Sequence, residues 1–156
     1  MKRRCSYSLL WALSIISIVG CAANSTTTKT TSSRGPGPAD PDAPAEFSAT
    51  ASGLKYKILR GSGGAKPSQA STVTVNYRGW LDNGKVFDSS YDSGSAATFG
   101  LGQVIPGWTE GLQLVGEGGM IELEIPSDMG YGPQGAGGDI PPNATLHFIV
   151  ELIKVH

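Results

Sequence analysis

The sequence predicts an α+β domain, one antiparallel sheet packed on one short helix. Three observations carry that prediction. Four separated segments alternate apolar and polar residues with a period of two, as strands with one buried face do. Asp82-Asn83-Gly84 stands between two such runs, Tyr77–Leu81 and Lys85–Phe87, and Asn-Gly is the strongest short hairpin signal. One segment alone, behind Pro106, has helical spacing.

In chain order, Leu54, Tyr56 and Ile58 alternate with Lys55, Lys57 and Leu59, and Val73, Val75 and Tyr77 alternate with Thr74, Asn76 and Arg78. After the hairpin comes Val104-Ile105, then Pro106 at the first helical position, where a missing N–H leaves no bond unmade. Trp108, Leu112 and Val115 follow at helical spacing, and Gly111 makes this helix weak by propensity, so packing must hold it. Ile121, Leu123 and Ile125 alternate with Glu122 and Glu124; Leu146, Phe148, Val150 and Leu152 alternate with His147, Ile149, Glu151 and Ile153. A sheet with one helix on it is an α+β arrangement.

The chain has 156 residues, room for one ordinary domain, and its N-terminus reads as something else. Lys2, Arg3 and Arg4 precede an apolar run, Leu9 to Val19, too short to span a bilayer but suited to a signal peptide, residues 1–20. Ile18-Val19-Gly20-Cys21 resembles a bacterial lipobox, which predicts cleavage before Cys21 and lipid on its thiol. The alternative is a plain secretory signal that ends in cysteine. Cys5 is the only other cysteine, so the mature chain has no partner for a disulfide. Two or more acyl chains would anchor it stably to a membrane. In a Gram-negative cell, Ala22 after the cysteine resembles the outer-membrane sorting pattern, with the domain facing the periplasm.

Residues 21–47 are expected to be the lipidated cysteine and a disordered tether. Ser25-Thr26-Thr27-Thr28 and the Pro/Asp/Ala mixture from Gly35 to Pro44 cannot bury enough surface to offset chain entropy. As a coil, this stretch would span roughly 30 Å. The domain is expected at 48–156. Without Lys2, Arg3 and Arg4 the chain keeps nine basic and thirteen acidic residues and no basic cluster, which argues against nucleic acid as a partner.

The chemistry is concentrated in two runs, Gly84-Lys85-Val86-Phe87-Asp88-Ser89-Ser90 and Val104-Ile105-Pro106-Gly107-Trp108. They hold aromatic and branched aliphatic side chains with one carboxylate, and no nucleophile–base pair. Such an inventory suits an apolar pocket rather than hydrolysis or redox chemistry. Taken singly, Trp108 reads as core and Asp88 as a turn residue. His147 and His156 have no Cys, Asp or His at ligand spacing, so no metal is expected. Gly61-Ser62-Gly63-Gly64 lacks the ending of a phosphate loop, and Gly132 to Gly138 reads as a flexible glycine-rich loop.

Five motifs together say more. Tyr77-Arg78-Gly79, Asn83 to Ser90, Val104 to Leu112, Met129-Gly130-Tyr131-Gly132 and Ile140 to Phe148 occur in that order. Over 48–156 the chain closely resembles the FKBP-type peptidyl-prolyl cis-trans isomerases. The resemblance implies an antiparallel half-barrel around one short helix, isomerisation of X–Pro bonds in exported polypeptides, and no cofactor. Trp108 would be the floor of a proline pocket; Tyr77, Phe87, Val104, Ile105 and Phe148 its walls; Ile140 would pack beside them. Tyr131 would donate its hydroxyl to a ligand carbonyl, and Ile105 its backbone N–H. Asp88 would be the polar contact at the rim. Macrolide inhibitors are the family's ligands, and the chain is expected to be a monomer. Ala97 stands where many eukaryotic members have phenylalanine, Asp139 where an apolar residue is common, and Gly132 to Gly138 lacks a bulky anchor. The competing reading is an envelope chaperone or peptide-binding module that uses the same groove with little turnover; a purely structural lipoprotein is a third.

Overall fold

A computed structural model describes residues 35–156. The signal peptide expected at 1–20, the lipidated Cys21 and the first part of the tether lie outside the described residues. The elements are β1 (Ser48–Ala49), β2 (Lys55–Arg60), β3 (Thr72–Leu81), β4 (Val86–Ser89), α1 (Ser90–Ser93), β5 (Ala97–Gly100), α2 (Pro106–Gly111), β6 (Met120–Ile125) and β7 (Leu146–Val155). Among the described residues they form one open, seven-stranded antiparallel sheet in the order β1-β2-β6-β7-β3-β4, with β5 on the first half of β3. The architecture is the α+β arrangement expected.

Alternation decides which face each strand buries. Along β3, every second residue from Val73 to Leu81 is buried and Asn76, Arg78 and Trp80 face outward. Leu146, Phe148, Val150 and Leu152 of β7 do the same beside it, paired in register from Tyr77–Val150 to Leu81–Leu146. On the outer face, Glu122 and Glu124 of β6 meet Lys57 and Lys55 of β2 at 2.7 Å each. The β3–β4 hairpin closes with Leu81 N–H on the Lys85 carbonyl at 3.0 Å, Gly84 N–H on the Leu81 carbonyl at 2.8 Å, and Gly84 at φ +80°. That is a three-residue loop in which glycine takes the left-handed position.

The helix begins at Pro106 as expected but is shorter than the spacing implied. It ends at Gly111 and tightens into a 3₁₀ turn, Leu112–Leu114, before Val115 turns extended. Trp108, Leu112 and Val115 are all buried nonetheless. Gly107 and Gly111 explain the close fit: a Cβ there would lie 2.5 Å from Ile125 Cγ2 and 2.7 Å from Leu123 Cδ2. Two glycines four apart bring the helix backbone down onto β6.

The ordered body begins before residue 48. Asp40 donates its N–H to the Leu59 carbonyl at 2.7 Å and accepts the Gly61 N–H on its carboxylate at 2.7 Å. Lys57 Nζ lies 4.4 Å from the centre of the Phe47 ring. Part of the stretch expected as tether therefore runs beside β2. Composition could not reveal this, because the segment gains hydrogen bonds from a strand flank rather than a buried face.

Candidate functional site

Trp108, on the first turn of α2, is 4% exposed and lies under the inner face of the sheet. Three rings meet it edge to face: Tyr77 at 5.2 Å between centroids, Phe148 at 5.2 Å and Phe99 at 5.6 Å, with interplanar angles of 83°, 81° and 87°. Phe87 meets Phe148 in the same way at 5.4 Å. Such pairs contribute about 0.5–1.5 kcal/mol each beyond the area they bury. Gly79 makes room for the last pair, since a Cβ on it would stand 2.6 Å from Phe87 and 2.7 Å from Phe148.

These rings line a cavity of about 320 Å³ together with Asp88, Gln103, Val104, Ile105 and Tyr131. That volume is at the small end of ligand sites. Two other depressions are larger, about 400 and 420 Å³, but are lined mainly by polar side chains and loop glycines. The aromatic cavity is the one whose walls suit an apolar ring.

Its polar groups sit at the rim. Tyr77 donates its hydroxyl to Asp88 Oδ2 at 2.6 Å. Burial, and then the hydrogen bond and charge of Asp88, hold the Tyr77 phenol well above its ordinary pKa, so it stays a donor. Ser90, 4% exposed, accepts the Tyr77 N–H at 2.9 Å and thereby ties the turn after Asp88 to β3. Tyr131 is 42% exposed with its ring on the cavity. The indole Nε1 of Trp108 is buried and has no partner among the described residues. The Ile105 carbonyl accepts the N–H groups of Trp108 and Thr109, which seats Ile105 at the start of α2.

Of the residues named from the sequence, the structure brings Tyr77, Phe87, Asp88, Val104, Ile105, Trp108, Tyr131 and Phe148 around one cavity. Ile140 lies outside it. Its N–H and carbonyl pair with Ala136, and its side chain is buried in the core, bordering the separate depression by Asp139. Asp139 in turn pairs with Lys85 at 2.8 Å, which lowers its pKa, and the glycine-rich loop is thereby fastened to the β3–β4 hairpin. Phe99 and Gln103 were missed. Phe99 shares a face of β5 with Ala97, so period-two reading of that short strand would have found it. Ala97 itself is not in the lining. No group of three or more His, Cys, Asp or Glu side chains among the described residues could hold a metal ion.

An open antiparallel sheet around a short helix, with an aromatic cavity beside the indole of that helix, defines the class of α+β half-barrel domains. The chain belongs to the FKBP-type peptidyl-prolyl cis-trans isomerase family, whose model matches residues 63–153. It is 53% identical over 104 residues to the outer membrane protein MIP of Legionella longbeachae, covering 67% of this chain and 45% of that one. It is 51% identical to an FK506-binding protein of Neisseria meningitidis, covering 67% of this chain and 97% of that one. The crystal structure of FkpA from Escherichia coli superposes with a TM-score of 0.69 at 46% identity, over 72% of this chain and 52% of that one. The chain spans less than half the length of several curated relatives it matches.

Proposed function

We propose that this chain accelerates cis–trans isomerisation of X–Pro bonds in exported polypeptides, by non-covalent seating of the prolyl ring on Trp108. The observation that carries this reading is the set of edge-to-face rings around that indole, open to solvent beside a rim of hydroxyl and carboxylate groups. Rotation about a peptide bond costs about 18–20 kcal/mol because resonance is lost, and X–Pro bonds isomerise unaided in tens to hundreds of seconds. A turnover of about 1–1000 per second requires up to roughly 7 kcal/mol of barrier lowering. No covalent intermediate is needed for that. The planar amide is more polar than the twisted one, so a water-poor aromatic wall disfavours the planar state. Tyr131 through its hydroxyl, and Ile105 through its N–H, hold the flanking carbonyls in the twisted geometry. Asp88, already engaged by Tyr77, orders the rim and is secondary to shape and desolvation.

The relatives' names support an envelope setting and a macrolide ligand for this chain too. In this reading Cys21 carries lipid, the domain acts as a monomer tethered to a membrane, and in a Gram-negative cell it faces the periplasm from the outer membrane. The test is a proline-isomerisation assay on peptides with different residues before proline, repeated with FK506. Catalysis blocked by the macrolide is the expected result. No rate above background at micromolar protein would leave a chaperone or peptide-holding module as the reading. A Cys21→Ser chain that still partitions with membranes would overturn the lipid anchor.

A further inference from the structure

Glu151 lies on the outer face of β7, opposite the cavity, and its side chain is only 12% exposed. Three donors from three separate parts of the chain meet its carboxylate. Arg60 Nη2 of β2 binds Oε1 at 3.0 Å, Gly37 N–H binds the same oxygen at 3.1 Å, and Tyr91 hydroxyl binds Oε2 at 2.7 Å. Arg60 also donates through Nη1 to the Pro38 carbonyl at 3.2 Å. Burial and the Glu151 hydrogen bond raise the Tyr91 pKa far above the ordinary phenol value, so that hydroxyl is a lasting donor. A sheltered carboxylate so fully engaged is costly to disturb.

Tyr91 stands three residues after Asp88, in α1, a single turn too short to hold itself. The piece Asp88–Tyr91 is pinned at three points: Asp88 on the Tyr77 hydroxyl, Ser90 on the Tyr77 N–H, and Tyr91 on Glu151. The first two pins share one residue of β3, so the third is the independent one. It draws on the other face of the sheet.

We infer that Glu151 is a positioning residue for the Asp88 side of the cavity, and that docking of residues 37–40 along β2 helps hold it in place. The segment 37–40 then acts as a strap whose attachment is felt at the cavity rim through Glu151, Tyr91 and α1. This rests on the isomerase reading above only for its kinetic consequence.

The experiment compares the full-length chain with Tyr91→Phe, Glu151→Gln and Asp40→Pro, the last removing both Asp40 bonds of the strap, the N–H to Leu59 and the carboxylate to Gly61, without substituting Glu151 or a residue of α1. NMR follows the amides of Asp88, Ser89 and Ser90 and the Tyr77 ring, and the isomerase assay resolves kcat and KM. Tyr91→Phe and Glu151→Gln are expected to move the Asp88–Ser90 signals and lower kcat/KM about fivefold. Asp40→Pro is expected to move the same signals in the same direction, by less. Unmoved Asp88–Ser90 signals in Tyr91→Phe overturn the positioning role, even if the variant melts at a lower temperature. Signals that answer to Tyr91→Phe but not to Asp40→Pro overturn the strap's part in it. Should Glu151→Gln fail to fold, Tyr91→Phe decides. If the unaltered chain lacks isomerase activity, the NMR arms still decide, so the two readings fail separately.

Discussion

Tyr77 joins three contacts in one residue: its ring packs on Trp108, its hydroxyl donates to Asp88 and its backbone N–H donates to Ser90. Trp108 is both core and floor, which is why it reads as core when taken alone. The ranking of shape over charge has a direct check. Phe87→Ala opens one wall and is expected to lower kcat/KM by more than about tenfold, whereas Asp88→Ala is expected to lower it only about threefold, a barrier increase of under about 1 kcal/mol. Equal losses in the proline assay would reverse the ranking. A second expectation concerns alkali. The folded-state pKa values of Tyr77 and Tyr91 are raised by burial and by hydrogen bonds to Asp88 and Glu151. The unfolded chain therefore loses these two protons first as pH rises. Their contribution to stability is fully present below about pH 10, the ordinary phenol pKa, and declines above it. Urea unfolding followed from pH 8 to 11 is expected to show that decline, shallower in Tyr91→Phe.

At the scale of elements, α2 departs furthest from propensity. Gly107 and Gly111 weaken it as an isolated helix, and alanine would favour the helical state by about 1 kcal/mol at either position. Yet Gly107→Ala would press a methyl group against Ile125, which is fully buried. Overpacking of this kind costs about 1–3 kcal/mol, so the variant is expected to unfold at lower urea than the parent. The hairpin, the long strands and the start of α2 were legible because each has a local code: alternation, Asn-Gly, proline at the first helical position. α1 and β5 were not, since each is one turn or four residues long and exists only because β3 is there to bond it. Gly79 belongs to the same category. It looks like a break in a strand and serves as the gap that two rings fill; Gly79→Ala is expected to raise KM for proline peptides by displacing Phe87 and Phe148.

For the molecule as a whole, stability has to come from one apolar core, closed by β3 and β7 with Trp108 and Leu112 beneath them. Residues 35–156 contain no cysteine. The thermal midpoint of the domain is therefore expected to be the same with and without a reductant, measured by circular dichroism. The outer face is closed differently, by ion pairs and by residues 37–40 lying beside β2, with Gly37 reaching Glu151. Gly37 meets the domain on the face opposite the cavity. Residues 37–40 take no part in the cavity lining.

The sequence by itself determined the α+β class and the faces of the long strands, and its resemblance to the FKBP-type isomerases named eight of the residues that meet at the cavity. Strand faces are periodic, and side-chain alternation projects them without further information, whereas the cavity residues were named by the motifs that carry the resemblance. Tertiary structure decided what depends on distance between remote segments. It placed Phe99 and Gln103 in the lining, set Ile140 in the core outside that lining, drew residues 37–40 onto β2 and brought Gly37, Arg60 and Tyr91 to one carboxylate. Hydrogen bonds between groups more than fifty residues apart leave no period in a sequence.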